Sequence, residues 1–372
     1  MEFFTYRIAD VFDRFSSGKN ITEEKISDSG QYPVYGGNGL RGYTNTSNFN
    51  GECILIGRQG AKCGNVRYFN GEGYMTDHAI VGVCKSNHNT QFMNYALASL
   101  NLNRLSGQAA QPGLSVGMLK KQKILLPSLE NQTKIANIIF GYNNVIENNN
   151  KRIAILEQMA ENLYKEWFVH FRFPGYEAVN FEEKKPFGWI VSSCENTKIP
   201  SCFDYCEFSE LGSFTRGRNI TAAEMIEGVI PVISAGLQPS GYHNKANVTG
   251  RSLTISASGA NAGYLQYNLS DIWAADCSYY QNEKNLWFVY CTLKFLQPVI
   301  SNLQCGAAQP HVYPKNINKL CVLKPTDELI VKFNQTVEPF FDEIETLKKK
   351  NDNLTKQRDL LLPRLMSGKL EV

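Results

Sequence analysis

The sequence predicts an α+β protein in which two globular α/β domains are held apart by two long antiparallel helices, with an internal repeat that makes the arrangement pseudo-twofold. Three observations carry this. Ile135, Ile139, Tyr142, Ile146, Asn149, Ile153, Leu156, Ala160, Leu163 and Trp167 follow one another in alternating steps of four and three, the seam of a helix that buries one stripe against another helix. The same seam returns at Phe333, Val337, Phe340, Ile344, Leu347, Asn351, Leu354, Arg358, Leu361 and Leu365. Each seam follows a globular stretch, and the two halves of the chain align with each other.

The repeat holds over many positions. AAQPGLSVGMLKKQKILLPS at 109–128 aligns with AAQPHVYPKNINKLCVLKPT at 307–326, and GKNIT at 18–22 with GRNIT at 217–221. Pro33-Val34 meets Pro231-Val232. Gly51, Gly60, Gly64 and Asp77 meet Gly250, Gly259, Gly263 and Asp276. Gly141 in the first long helix falls on Pro339 in the second, a weak point at the same place in each.

In chain order, residues 1–130 form the first domain. TyrProValTyr at 32–35, CysIleLeuIle at 53–56, AlaIleValGlyVal at 79–83 and IleLeuLeuPro at 124–127 read as strands, and 91–105 as a helix. Residues 131–172 form the central helix, whose stretch 132–168 is about 55 Å long at 1.5 Å per residue. Pro174, Gly175, Pro186 and Gly188 stop it and begin a lead-in linker, 173–190, to the second domain, 173–328. There ProValIleSer at 231–234, LeuThrIleSer at 253–256 and TrpPheValTyr at 287–290 read as strands. Residues 329–372 form the C-terminal helix, which buries its seam by running back along the first. With coincident seam centres, Asn149 faces Asn351, a pair of seam asparagines that fixes register. Glu157, Glu161, Lys165, Lys348, Lys349 and Lys356 mark outer helix faces fit for partners.

Composition narrows the function. In 372 residues the formal net charge is +3. Residues 1–130 carry 13 Lys and Arg against 10 Asp and Glu, and residues 173–328 carry 12 against 14, so nucleic-acid binding has to rest on local basic clusters. No apolar run reaches membrane-spanning length. The N-terminus has no basic-then-apolar leader, which points to the cytoplasm. The ten cysteines, at 53, 63, 84, 194, 202, 206, 277, 291, 305 and 321, include no C-x-x-C pair, so buried or free thiols are expected rather than zinc. Phosphate-binding loops, H-E-x-x-H and G-x-S-x-G are absent, as is the Asn-Pro-Pro-aromatic run of amino-group methyltransferases. Asp77-His78 aligns with Asp276-Cys277 and reads as structural. No catalytic and no metal-ligating residue is expected.

A binding inventory remains. Lys19, Arg41, Arg58, Gln59, Lys62 and Arg67 lie in loops of the first domain, and Arg216, Arg218, Lys245 and Arg251 in the second. Arg, Gln and Asn read purine edges in a major groove, and Lys and Arg neutralise phosphates. The repeated AAQP turns, with Gln111 and Gln309, suggest a shared structural or partner-contact role.

The stretch ENQTKIANIIFGYNNVIENNNKRIAILEQMAENLYKEWFVHFRFPGYE (130–177), the ending LTKQRDLLLPRLMSGKLEV (354–372) and the two AAQP turns resemble the specificity subunits of type I restriction–modification systems, over nearly the whole chain. The resemblance implies a non-catalytic DNA-binding subunit with two target-recognition domains, each reading one half of a split, asymmetric double-stranded site. It implies two methyltransferase subunits docked on the helices, and restriction and translocase subunits beyond them. S-adenosylmethionine, ATP and magnesium belong to those partners, with no cofactor in this chain. VSSCENTKIPSCFDYCEFSE at 191–210 lengthens the approach to the second domain relative to the family pattern. The competing reading is a coiled-coil protein adaptor without DNA readout, which predicts no salt-dependent DNA affinity.

Overall fold

The computed structural model describes residues 1–60, 62–106, 113–185, 198–304 and 310–372. Gln111 and Pro112, residues 307–309 of the second AAQP turn, Cys194, Cys305, Pro186 and Gly188 lie outside the described residues. The chain divides into two compact units, Met1–Asn148 with Asn351–Val372, and Asn149–Lys350.

The first unit contains β1 (Phe3–Arg7), α1 (Ile8–Val11), β2 (Phe12–Ser17), β3 (Tyr32–Gly36), β4 (Gly39–Thr44), β5 (Phe49–Gly57), β6 (Val66–Met75), β7 (Ala79–Cys84), α2 (Thr90–Ser99), α3 (Val116–Lys120), β8 (Lys123–Pro127) and the start of α4 (Leu129–Tyr164). Six strands form one sheet in the order β2-β7-β5-β6-β3-β4, while β1 and β8 pair separately. The apolar runs at 53–56 and 79–81 are buried because they occupy β5 and β7 inside the sheet. Ile54, Ile56 and Ile80 share a core with Phe92, Met93 and Leu97 of α2 and with Ile135 and Ile139 of α4. Asn89 starts α2 by accepting the Phe92 N–H at 2.9 Å. Asn101, at φ 50°, lies just past its end, so the helix read over 91–105 stops at Ser99 and a short 3-10 turn follows. Buried Gln132 anchors the base of α4: it accepts the Asn89 N–H at 2.9 Å and donates to the Pro127 carbonyl at 2.9 Å.

The second unit contains the rest of α4, a π-helical turn at Lys165–Val169, β9 (Phe181–Glu183), β10 (Lys198–Pro200), β11 (Asp204–Glu207), β12 (Thr215–Arg216), β13 (Ile230–Ile233), β14 (Gly241–His243), β15 (Ser252–Ser256), β16 (Leu265–Asn268), β17 (Trp273–Ala274), β18 (Cys277–Tyr280), α5 (Leu286–Phe295), α6 (Gln297–Asn302), α7 (Pro314–Asn318), β19 (Cys321–Lys324) and the first part of α8 (Asp327–Met366). Its sheets have the orders β12-β18-β15-β16, β14-β13-β17 and β11-β19. Residues 287–290, read as a strand, lie inside α5 instead. Every residue from Leu286 to Leu293 is buried, and an apolar run with no polar face carries no period that separates helix from strand.

The same side-chain and backbone bonds are made in each unit, 199 residues apart. Asn48 donates to the Met75 carbonyl at 2.9 Å and accepts the Met75 N–H at 2.8 Å. Asn247 does the same with Ala274, at 2.9 and 2.7 Å. Gly64 N–H bonds to Gly57 O at 2.8 Å, and Gly263 N–H to Ser256 O at 2.8 Å. Gly64 and Gly263 have φ of 84° and 85°, which a side chain disfavours; this accounts for glycine at both places.

The seam residues of both long helices are all buried or half-buried. One is displaced. Phe341, not Phe340, is fully buried in α8, because Trp287 stacks on it with ring centroids 3.6 Å apart and planes 2° from parallel. Both helices run unbroken through Gly141 and Pro339.

Candidate nucleic-acid interface

In the first unit, the turn Gly36-Gly37-Asn38-Gly39 joins β3 to β4 and gathers most of the polar residues singled out in the sequence. A Cβ at Gly36 would lie 2.7 Å from Arg41 Cδ, and one at Gly39 would lie 3.0 Å from the Arg67 guanidinium carbon. Both arginines are thus draped over the turn, and both are exposed. Behind it, a Cβ at Gly37 would meet the carbonyls of His78 and Gln59 at 3.0 and 3.1 Å. Gln59 Oε1 lies 2.9 Å from His78 Nδ1. Half-buried Arg58 reaches Asp77 O at 3.4 Å and Ser17 Oγ at 3.5 Å. Arg41, Arg58, Gln59, Arg67 and His78 therefore share one surface. Lys19 is tied to the same end of the sheet by its N–H bond to Met75 O at 2.9 Å. Exposed Lys62 borders a groove of about 390 Å³ with Asn65, Asn101 and Asn103, and its carbonyl would lie 2.7 Å from a Cβ at Gly57, which the Gly37 carbonyl would crowd as well.

The second unit builds the corresponding surface from other side chains. Arg216 and Ser258 both bond to Asp276. Ser256 Oγ and Asn261 Nδ2 donate to the Ala235 carbonyl at 3.1 and 3.4 Å, and Gln266 Nε2 donates to Leu237 O at 3.2 Å. Trp273 Nε1 donates to Arg218 O at 2.8 Å. Arg218 and Lys245 are exposed. Ser258 stands where Gln59 stands, Gln266 where Arg67 stands, and Arg216 where Ser17 stands. The guanidinium that reaches the aligned aspartate thus comes from Arg58, just after β5, onto the Asp77 carbonyl in one unit, and from Arg216 of β12 onto the Asp276 carboxylate in the other. Ser258, Asn261 and Gln266 were missed in the sequence, although the repeat register itself marks Ser258 and Gln266.

Arg251, singled out in the sequence with the DNA-facing residues, is engaged with α8. Its guanidinium donates to Glu338, to Asp342 Oδ1 at 2.6 Å and to Glu345 Oε2 at 2.7 Å, all on α8. Burial lowers its pKa, but the bonds to Asp342 and Glu345 and the charge of Glu338 outweigh that and raise it. Three of the residues assigned to outer helix faces are engaged as well, Lys349 with Glu345 at 2.6 Å and two more at one tyrosine. Glu157 accepts from the Tyr267 hydroxyl, and Lys348 donates to it at 2.8 Å.

Burial holds the thiols of Cys53, Cys84, Cys206 and Cys277 at about 12, far from the range of a nucleophile or metal ligand. Among the described residues no cluster of three His, Cys, Asp or Glu could hold a metal ion, and no helix is long and apolar enough to cross a membrane.

Residues 2–158 match the model of the type I restriction modification DNA specificity domain family. The chain is 45% identical over 123 residues to the type I restriction enzyme EcoprrI specificity subunit of Escherichia coli, covering 33% of this chain and 30% of that protein. It is 28% identical over 286 residues to the MjaIX specificity subunit of Methanocaldococcus jannaschii, covering 73% and 66%. The matches thus span under a third of the first relative's length and just under two thirds of the second's. The fold resembles the crystal structure of a type I restriction–modification system S subunit from M. genitalium, with a TM-score of 0.67 at 21% identity, over 98% of this chain and 96% of that one. Residues 2–158 thus match the type I restriction modification DNA specificity domain, and the chain is similar to specificity subunits of type I restriction enzymes.

Proposed function

We propose that this chain is the non-catalytic, sequence-reading subunit of a type I complex, recognising a split, asymmetric DNA site. Residues 1–130 and 173–328 act as two target-recognition domains, each reading one half-site. Helices 131–172 and 329–372 pair as an antiparallel coiled coil, and the whole is a pseudo-twofold repeat. Its helices position two methyltransferase subunits, with restriction and translocase subunits joined to them. Those partners bring S-adenosylmethionine, ATP and magnesium, and the chromosomal substrate sets the work in the cytoplasm.

The observation that carries this reading is one backbone framework built twice with different side chains. Guanidinium groups such as Arg41 and Arg67 donate to guanine N7 and O6, whereas amides such as Gln266 and Asn261 suit adenine edges. Equivalent frames with unlike side chains are what two half-sites of different sequence require. The helix pairing is supported inside each unit. In the first, Tyr142 and Asn143 bond Gln357 and Arg358 at 3.4 and 2.9 Å; in the second, Arg152 bonds Glu343 at 2.7 Å.

A domain exchange tests this. Residues 1–130 are replaced by the matching region of a relative, and the methylated motif of the hybrid complex is determined. One half-site changes and the other stays. A change in both half-sites contradicts independent reading.

A further inference from the structure

We propose that Arg251 is a positioning residue, which locks the second recognition domain onto α8 and thereby fixes the gap between half-sites, and that it does not contact DNA. This rests on the reading above, in which the two domains read half-sites at a set spacing.

The geometry is specific. Arg251 directly precedes β15, a strand flanked on both sides in its sheet. Its partners Glu338, Asp342 and Glu345 stand four and three residues apart, on one face of α8. The guanidinium carbon lies 5.9 Å from the centroid of the Trp287 ring, within cation–π range. Trp287 in turn donates to Glu338 Oε2 at 2.6 Å and stacks on Phe341. One cation, one aromatic plane and three carboxylates therefore join the sheet and α5 to the same helical face.

A second tie lies nearby. Tyr267 on β16 bonds Glu157 of α4, and the Lys348 ammonium sits 4.1 Å from its ring centroid. Burial first, then Glu157, raises the Tyr267 pKa, so the hydroxyl stays protonated as a donor. Both long helices are gripped by one sheet within the second unit.

The same groups argue against DNA contact. Three carboxylates around one guanidinium leave a local excess of negative charge, which repels a phosphate. In the first unit the position of Arg251 is taken by Glu52, whose partner Tyr68, at 2.8 Å, stands where Tyr267 stands. The clamp is therefore particular to the second domain.

The test uses the full chain, expressed with its methyltransferase partner, and long-read detection of methylated sites sorted by half-site bases and by gap length. Arg251→Met, which keeps the packed stem, is compared with Arg251→Lys and with the helix-side double variant Asp342→Asn/Glu345→Gln. In Arg251→Met and the double variant, both half-sites keep their bases, while methylation at gaps one base pair too long or too short rises about tenfold. Arg251→Lys keeps the wild-type gap preference in large part. The proposal is overturned if Arg251→Met alters the bases of the second half-site while the double variant behaves as wild type, since that marks a DNA contact. It is also overturned if gap preference is unchanged in every variant. A wild-type motif that is not bipartite removes the underlying reading instead, and is visible before any variant is made.

Discussion

Arg358 Nη1 donates to Asn143 Oδ1 at 2.9 Å, joining α8 to α4 inside the first unit. The neighbouring Tyr142 hydroxyl donates to Gln357 Oε1 at 3.4 Å, while earlier in α4 Ile135 and Ile139 share a core with Leu365, later in α8, which is the sense of an antiparallel pair. The seam register read from the sequence, with coincident centres, expects Asn149 opposite Asn351. Cysteines placed at 149 and 351 are expected to crosslink on mild oxidation, read by peptide mass spectrometry. Crosslinking of 149 to 344 or to 358 in place of 351 contradicts the register.

The displaced seam residue makes a sharp comparison. Phe341 is fully buried against Trp287, whereas Phe340 is only half-buried. Phe341→Ala is expected to cost about 3–5 kcal/mol, the range for an aromatic removed from a core, and Phe340→Ala distinctly less. Urea unfolding of both variants gives the order; equal costs would mean that the stacking is not the source.

Acid is expected to weaken the Arg251 clamp. Burial raises the Glu345 pKa, but hydrogen bonds from Lys349 and Arg251 outweigh it and bring the carboxyl below its ordinary 4.5. A carboxyl depressed in the folded state stabilises above its unfolded pKa, and that contribution is lost as pH falls through the folded value. Melting curves of the wild type and Glu345→Gln should therefore differ at pH 7 and converge below about 4.5. A difference that stays constant with pH contradicts the assignment.

Gly141 sits inside α4 with open space where a Cβ would stand. Gly141→Ala is expected to stabilise the chain by about 0.5–1 kcal/mol, because glycine loses more backbone freedom in a helix. The shift in unfolding midpoint measures it, and destabilisation would place a close neighbour at that face.

Much of the architecture is legible in the sequence where periodicity or backbone constraint speaks. The four-three seams mark α4 and α8, and the repeated glycines at 64 and 263 mark turns that need a positive φ. The strand reading of 287–290 fails because a wholly apolar segment has no face to betray its period. The candidate interface is legible in residue type and not in partnership. Arg41 and Arg67 converge on a glycine turn, as the loop pattern suggested, but nothing in the local sequence tells Arg251 that three carboxylates about ninety residues away will enclose it. Long-range ion pairs are set by packing, which composition does not encode.

The central claim is that two domains read two half-sites at a fixed separation. To meet two major-groove segments from one side of straight duplex, half-sites lie about 10 base pairs apart, centre to centre, or about 35 Å, within the reach of helices about 55 Å long. If each domain reads about 3–5 base pairs, the unread gap is about 5–8 base pairs, and bending shifts it by about one. Methylation-aware long-read sequencing of a host carrying this chain with its methyltransferase partner measures the motif directly. The account predicts an asymmetric, bipartite motif with one gap length in that range. A continuous motif, a variable gap, or a gap well beyond about 9 base pairs would contradict it.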